Sequence, residues 1–288
     1  MRLPVLPLIL ALPLLLFGGC GGRPSGAAQP AQPTVSLAYI DGWAEAVAMS
    51  FLMAEVLKEQ GYEVRLRKAT NDMIFASLAN GDLDVFMDVW YPSTNSNRVK
   101  KFGDRIERVG VNFDSARLGL VVPDYVPIAS IEELNAHAER LGGRIVGIES
   151  GSALVGMTGV AIDRYGLELR QVTSSTVAML AELQKAIAEK RWIVVTAWQP
   201  HWMFGRYPLR FLDDPQKVYD DTERIETYCR RGFMTDDPRA TRILERFHLS
   251  PEQMASLLLR MEGKGSPAEL ARGWMEENRA VVGEWVGE

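Results

Sequence analysis

Cysteine and histidine are scarce in this chain, which has two cysteines and three histidines among its 288 residues. Cys229 is the single cysteine after residue 20, so an internal disulfide in the globular part is excluded. We expect Cys229 to be a small core residue in a strand. His137, His201 and His248 are too widely separated for metal-ligand spacing, so the sequence predicts neither a metal site nor a cofactor.

The motifs of common enzyme sites are also lacking. The sequence has no glycine-rich phosphate loop and no dinucleotide fingerprint. The stretch GSALVG at 151–156 does not have the G-x-S-x-G spacing of a nucleophile elbow. We therefore expect a binding protein rather than an enzyme. A turnover assay separates the two classes, because an enzyme converts its solute and a binding protein returns it unchanged.

Blocks of like charge are absent, and the overall charge balance is mildly acidic. The formal net charge is −5, and the isoelectric point is about 5.5. This composition argues against a nucleic-acid-binding protein, which would carry a basic surface. The hydrophobic content of 47% is ordinary for a globular chain, and the length suits one large or two medium domains.

Long hydrophobic runs are confined to the N-terminus. Leu3–Phe17 is almost entirely Leu, Pro, Ala and Ile, and it follows the basic Arg2. This run is too short and too rich in proline for a stable membrane-spanning helix. It predicts a secretory signal peptide at residues 1–19, and therefore a protein exported to the periplasmic side of the cell membrane.

The position of Cys20 suggests how the exported chain is held. Cys20 follows the apolar run directly behind two glycines, an arrangement that resembles a lipobox. We expect an acylated Cys20 to anchor the protein in the membrane, with residues 20–33 as a flexible tether. The alternative is an ordinary signal peptide that is cleaved near Ala27 or Ala28.

From Thr34 onward, predicted strands and helices alternate, which is typical of an α/β fold with parallel pairing. Two such series follow one another, and the chain leaves the first and later returns to it. We therefore predict two lobes joined by two crossovers, with residues 34–118 and 209–288 in lobe 1 and residues 119–208 in lobe 2. A cleft between such lobes can close on a small ligand by hinge motion.

Helix signals support this division of the chain. Ser130 is predicted to cap a helix over 131–141, and Leu209–Leu212 to be a strand that returns to the first series. Ser250 and Ser266 each precede a proline at a first helical position, so two helices are expected to close the chain.

Three tryptophans lie at predicted strand ends beside glycine or proline. Trp43 follows the first strand in IDGW, Trp90 ends DVFMDVW, and Trp198 ends IVVTAW. Ligands of open α/β sheets bind at the carboxyl ends of strands. Most lone tryptophans are core residues, and we assign that role to the remaining four. These are Trp192, Trp202, Trp274 and Trp285.

A cluster of three indoles suits one kind of ligand. A quaternary ammonium spreads its charge over methyl groups and has no N–H to donate. Tryptophan rings offer it a negative quadrupole and an apolar surface together. An amino-acid ligand would instead require an acidic partner for its α-ammonium group.

Four stretches carry a resemblance to a known family. They are AYIDGWAEAVA at 38–48, LANGDLDVFMDVWYP at 78–92, GIESGSAL at 147–154 and IVVTAWQPHWMFGRYPLRFLDDP at 193–215. Together and in this order they resemble the glycine betaine/choline-binding proteins of ABC importers, over essentially all of the chain from Val35. The resemblance implies a two-lobed periplasmic-binding-protein fold of type II with the ligand in the interlobe cleft. It also implies delivery of a quaternary-ammonium solute to a membrane permease, without catalysis, and we expect a monomer.

The resemblance also implies site residues. The family's aromatic cage matches Trp43, Trp90 and Trp198, and its carboxylate-binding turn matches Gly151, Ser152 and Ala153. The start of a helix at this turn offers free N–H groups and a positive dipole end to an anion.

Two positions depart from the family pattern. Asn95 stands where betaine binders often have histidine, and Leu118 stands near the place where some choline binders have a cage tyrosine. We expect a zwitterion such as glycine betaine, taken up as a compatible solute, with choline or carnitine as the alternative.

Four polar residues near the strand ends have predicted roles of their own. His201 either contacts the ligand or caps backbone and packs beside an aromatic ring. Glu45 is either an acid in a helix first turn or a partner of another cleft group. Asp88, like Asp41, is expected to fix strand-end backbone.

Overall fold

The computed structural model describes residues 32–219 and 223–287. The predicted signal peptide, Cys20 and most of the predicted tether lie outside the described residues. The described chain folds into ten strands and eleven α-helices within one compact unit.

The strands form two five-stranded sheets. Their bounds are β1 Thr34–Tyr39, β2 Glu63–Lys68, β3 Val85–Tyr91, β4 Ile106–Phe113, β5 Arg117–Pro123, β6 Arg144–Val146, β7 Arg170–Val172, β8 Val195–Gln199, β9 Leu209–Phe211 and β10 Arg224–Arg230. The first sheet has the order β2-β1-β3-β10-β4, and the second has the order β7-β6-β8-β5-β9. In each sheet three parallel strands are followed by two that pair antiparallel, so the sheets share one plan.

The helices lie mostly in the connections between parallel strands and after the last strand. Their bounds are α1 Ala44–Glu59, α2 Asn71–Asn80, α3 Ser96–Phe102, α4 Ala153–Tyr165, α5 Thr176–Ala188, α6 Met203–Arg206, α7 Phe233–Asp236, α8 Pro238–Arg246, α9 Pro251–Met261, α10 Pro267–Glu277 and α11 Arg279–Val286. Their boundaries follow local sequence. For example, the Ser152 hydroxyl accepts a hydrogen bond from the N–H of Val155 at the start of α4, and Gly166 ends that helix with φ +58°.

The predicted α/β fold and the two crossovers are confirmed, but β9 lies in the second sheet and not in the first, where it was predicted. β5 already belongs to the second sheet, so the first crossover falls in the short link 114–116. The strand predicted at Leu209–Leu212 was expected to return to the first series, and this is wrong: the observed strand β9 pairs antiparallel with β5 in the second sheet. The chain returns to the first sheet only with β10. The sequence could not show this, because a three-residue strand does not reveal its pairing partner.

The predicted helix over 131–141 is also wrong. Ser130 caps the segment as expected, but Ile131–Glu133 and Asn135–His137 are short 3₁₀ turns. The buried residues Ile131 and Leu134 are three positions apart, a spacing that aligns on one face of a 3₁₀ helix as well as of an α-helix. Periodicity could not distinguish the two.

The two closing helices are confirmed at α9 and α10, within a larger helical region that runs from α7 to α11. Cys229 is fully buried in β10, as predicted for a core residue. Burial raises the pKa of its thiol to about 12.

The cap of α9 offers a test of local stability. Ser250 and Gln253 form a capping box, in which Gln253 Oε1 accepts from the Ser250 N–H at 2.7 Å and Ser250 Oγ accepts from the Gln253 N–H at 3.2 Å. Ser250→Ala is expected to lower the free energy of unfolding by about 1 kcal/mol, and Ser250→Gly by only a few tenths. Chemical denaturation of both variants measures this, and equal losses would contradict the assigned role of the hydroxyl.

Candidate functional site

The three predicted cage tryptophans meet in one cavity. Trp43 follows β1, Trp90 lies near the end of β3, and Trp198 lies near the end of β8; all three are buried. The ring centroids of Trp43 and Trp198 are 6.4 Å apart, although the residues follow strands of different sheets. The cavity contains about 290 Å³ of atom-free space, part of it open to solvent. Its other wall residues are Glu45, Thr94, Leu118, Ile148 and Leu154.

Sheet pairing explains why these side chains converge. β1 and β3 are parallel neighbours, so their carboxyl ends lie at the same edge of the first sheet. In the second sheet Trp198 is the register partner of Leu118, which brings Leu118 into the cavity wall. The cavity therefore lies at the carboxyl ends of strands from both sheets.

Every cage tryptophan donates its indole N–H to a carboxylate. Trp43 Nε1 lies 2.7 Å from Glu149 Oε1, Trp90 Nε1 lies 3.0 Å from Asp88 Oδ1, and Trp198 Nε1 lies 2.9 Å from Glu45 Oε2. These hydrogen bonds fix the ring orientations. They also leave no indole N–H for a ligand, so the rings can offer only their π systems and apolar surface.

Two of these carboxylates are buried beside each other. Glu45 and Asp88 are fully buried, and each keeps one oxygen without a hydrogen-bond partner among the described residues. Burial raises the pKa of Glu45 from 4.5 to about 7, opposed by the bond from Trp198. Burial and the neighbouring Glu45 raise the pKa of Asp88 well above its usual value. Burial thus disfavours the charged form of both carboxyl groups.

These roles differ from what the sequence suggested for Asp88 but fit one of the alternatives for Glu45. Asp88 was predicted to fix strand-end backbone, and this is wrong, because its carboxylate accepts from the Trp90 indole instead. Glu45 does hydrogen-bond another cleft group, the indole of Trp198. Sequence position alone could not show this, because the two residues are 153 positions apart.

The loop after β3 is organised around a buried acid. Glu223 Oε1 accepts from the Thr94 N–H and hydroxyl, both at 2.6 Å, and from Ser93 Oγ at 2.5 Å. Glu223 is fully buried. It thereby holds Thr94 at the cavity wall. Sequence reasoning missed both Glu223 and Thr94, since no motif marks them.

Asn95 is buried next to the cavity but is not one of its wall residues. Its side-chain Oδ1 accepts from Asn71 Nδ2 at 3.0 Å, and its N–H donates to the Trp90 carbonyl at 2.8 Å. Its Nδ2 is buried and has no partner among the described residues.

His201 caps backbone and packs beside an aromatic ring, the second of its two predicted roles. Its Nδ1 accepts from the N–H of Met203 at 3.2 Å, so the proton of the neutral ring is on Nε2. Its ring lies edge-on to Trp198, with centroids 4.9 Å apart. Burial lowers the pKa of His201 to about 3, which keeps the ring neutral at physiological pH.

The glycine-rich turn borders a second, more open groove. Gly151 and Ser152 line this groove together with Glu149, and Trp43 is a wall of both spaces. Leu154, in the first turn of α4, lines the cage cavity. Glu149 was missed by sequence reasoning, although its place directly before the turn could have drawn attention to it.

None of the helices in the described ranges is long and apolar enough to cross a membrane. In the same ranges no group of three or more His, Cys, Asp or Glu side chains is placed to hold a metal ion.

Two sheets that share a cavity at the carboxyl ends of their strands have the arrangement of a substrate-binding protein. The chain belongs to the family described as the substrate binding domain of ABC-type glycine betaine transport systems, whose model matches residues 33–277. Members of this family are the substrate-binding components of ABC transport systems.

Sequence comparison gives one informative relative. The glycine betaine/carnitine transport binding protein GbuC of Listeria monocytogenes is 40% identical over 151 residues. The match spans 51% of this chain and 50% of that protein, so it covers about half the length of the relative.

Solved structures extend the likeness to most of the chain. Lactococcal OpuAC, in a closed conformation complexed with glycine betaine, is 30% identical to this chain, with a TM-score of 0.83. The match covers 88% of this chain and 100% of the OpuAC chain. The glycine betaine/L-proline-binding protein ProX of Borrelia burgdorferi has the same identity and TM-score, with 88% and 96% coverage. A choline-binding protein in complex with choline has a TM-score of 0.80 at 24% identity, which shows the shared fold alone.

The acidic pair predicts a pH-dependent stability. The pKa of Glu45 is higher in the folded protein than in the unfolded chain, so the folded state is favoured when Glu45 is protonated. This contribution to stability is complete below about pH 4.5 and is lost as the pH rises through about 7. Glu45→Gln should therefore melt higher than wild type at pH 8, by about 2–4 °C for each kcal/mol recovered, and should match it near pH 4.5.

Thermal melts of the ligand-free proteins across this pH range measure the difference. The exposed Glu168 provides the control, because Glu168→Gln should leave the pH profile unchanged. A wild type and Glu45→Gln with parallel profiles would contradict the raised pKa.

Proposed function

We propose that this protein captures glycine betaine, or a similar quaternary-ammonium zwitterion, and delivers it to an ABC permease for uptake as a compatible solute. The observation that carries the proposal is the cavity walled by three buried indoles whose N–H groups are all engaged by carboxylates. Such a wall has nothing to donate to an anion and nothing that requires an N–H from the ligand. A trimethylammonium group meets both conditions.

The energetics favour this ligand class. A desolvated cation–π contact contributes about 2 kcal/mol, and each buried methyl group adds roughly 0.8 kcal/mol. Three indoles around one cation can therefore exceed the roughly 8 kcal/mol that micromolar affinity requires, before the costs of association are subtracted.

The charge of the buried acids suits the same ligand. Glu45 lines the cavity, Asp88 is its buried neighbour, and burial disfavours the charged form of both, so a cationic head in the cage would offset part of that cost. The relatives whose descriptions mention glycine betaine support this reading.

For the anionic end of the ligand we propose donors on two sides. The unpartnered Nδ2 of Asn95 is buried close to Thr94. The turn Gly151, Ser152 and Ala153 opens α4, whose first N–H groups and dipole favour a carboxylate. His201 Nε2, also buried without a partner, is a further candidate donor.

Choline is a second candidate, because one specific observation favours it. Glu45 is a wall residue of the cavity, and its Oε1 has no hydrogen-bond partner among the described residues, so it can accept a hydrogen bond from a hydroxyl group. Leu118, on the other hand, supplies no aromatic ring as a fourth wall.

We further infer how the protein is presented to its permease. The two sheets would belong to two lobes that close over the ligand by hinge motion. The protein would act as a monomer outside the cytoplasm, anchored through an acylated Cys20. N-terminal mass spectrometry of membrane-extracted protein tests the anchor, and an unmodified N-terminus beyond Cys20 would contradict it.

Replacement of any cage tryptophan is expected to weaken binding. Trp43→Ala, Trp90→Ala and Trp198→Ala should each cost roughly 1–2 kcal/mol or more of binding free energy, because each removes a desolvated cation–π contact. The corresponding Phe variants should lose less. Isothermal calorimetry with glycine betaine gives the affinities, and circular dichroism confirms that each variant is folded.

Trp192 offers the matched control. The Cζ atom of Arg140 lies 3.7 Å from the centroid of the Trp192 ring, and Trp192 is not a wall residue of the cage cavity. Trp192→Ala should therefore bind the ligand like wild type. Folded Ala variants of the three cage positions with unchanged affinity would show that the cage assignment is wrong.

Calorimetry also distinguishes the two candidate ligands. Glycine betaine is expected to bind at least tenfold more tightly than choline, a difference of about 1.4 kcal/mol. Asn95→Ala should weaken betaine binding and leave choline binding nearly unchanged, whereas Glu45→Gln should weaken choline more than betaine. Choline binding as tightly as betaine to the wild type would overturn the preference for a zwitterion.

A further inference from the structure

Two of the cage tryptophans are held from the opposite sheet. Trp43 follows β1 of the first sheet, yet its indole N–H donates to Glu149, which follows β6 of the second. Trp198 is in β8 of the second sheet, yet its indole N–H donates to Glu45 in α1, which follows β1. The third bond, from Trp90 to Asp88, stays within β3. The first two bonds therefore connect the sheets in both directions.

Glu149 is fixed firmly on its own side. Its second oxygen, Oε2, accepts from Thr176 Oγ1 at 2.9 Å and from the Thr176 N–H at 3.2 Å. Thr176 is the buried first residue of α5, where a free N–H and the helix dipole favour a carboxylate. Both oxygens of Glu149 are thus engaged, and Trp43 is its connection to the first sheet.

The backbone beside Trp43 brings the two sides close together. Gly42 has φ +87°, a conformation that favours glycine, and a Cβ at this position would lie 3.7 Å from the Cβ of Thr176. The Trp43–Glu149 bond therefore forms next to a close approach between the segment that follows β1 and the start of α5.

Trp43 also separates two spaces. It is a wall of the cage cavity and a wall of the neighbouring open groove, and Glu149 lines that groove. A ligand that leaves the cage towards the groove must displace the Trp43 ring. The bond to Glu149 holds the ring in place.

We propose that Glu149 is a positioning residue that locks Trp43 over the bound solute and thereby sets how long the solute stays in the cage. This inference rests on the proposed function for the identity of the solute. Loss of the bond should accelerate dissociation far more than it slows association, because the encounter surface is unchanged.

The test compares Glu149→Ala with Glu149→Gln. In stopped-flow experiments with glycine betaine, or with choline if that is what the wild type binds, Glu149→Ala should raise the dissociation rate about tenfold or more. Glu149→Gln retains an acceptor for the Trp43 N–H and should stay within about threefold of wild type. Thr176→Val, which removes one support of Glu149, should fall between them. The exposed Glu168 supplies the control, and Glu168→Ala should release solute at the wild-type rate.

Two outcomes would overturn the proposal. One is release at the wild-type rate from Glu149→Ala. The other is a Glu149→Gln variant as fast as Glu149→Ala, since the effect would then come from the charge and not from the hydrogen bond.

A second readout does not depend on any ligand. The indole N–H resonance of Trp43, identified by its loss in Trp43→Phe, should exchange with solvent at least tenfold faster in Glu149→Ala than in wild type. Equal exchange rates would also overturn the proposal. If the wild type binds neither glycine betaine nor choline, the proposed function fails, and this exchange measurement still decides the role of Glu149.

Discussion

A buried indole N–H must have an acceptor, and the site depends on how the chain supplies three of them. Each cage tryptophan donates to a carboxylate, and these acceptors are Glu149, Asp88 and Glu45. The bonds consume the polar part of every ring and leave its apolar and π surface for the cavity. Because two of the three bonds connect the sheets, the same contacts that complete the cage also join the two halves of the fold.

The acids that orient the rings also determine the electrostatics of the cavity. Glu45 and Asp88 are buried together, and within the described part of the chain neither forms an ion pair, so their charged forms are costly. A cation in the cage would relieve that cost without a hydrogen bond of its own. The protein thus combines an aromatic wall with acidic side chains next to it. A cage made of carboxylates alone would retain water around the ligand.

Sequence reasoning reached the elements of this site but not their partners. Trp43, Trp90 and Trp198 could be identified because each stands at a strand end beside glycine or proline, and strand ends gather at one edge of a parallel sheet. Glu149, Glu223 and the role of Asp88 were missed, since nothing local distinguishes a carboxylate that meets an indole from one that faces solvent. The sheet of β9 was also misassigned, because a short strand does not reveal its pairing partner. The 3₁₀ turns after Ser130 were predicted as an α-helix, because buried residues three positions apart suit both kinds of helix.

The sequence by itself determined the α/β alternation, the two crossovers, the helix caps at Ser250 and Ser266, and the three tryptophans. These follow from local signals: periodicity, capping residues and turn chemistry act over a few positions. The tertiary structure alone decided which sheet β9 joins and which carboxylate each indole meets. Hydrogen bonds between residues 106 and 153 positions apart depend on how whole elements pack, and no short stretch of sequence encodes that.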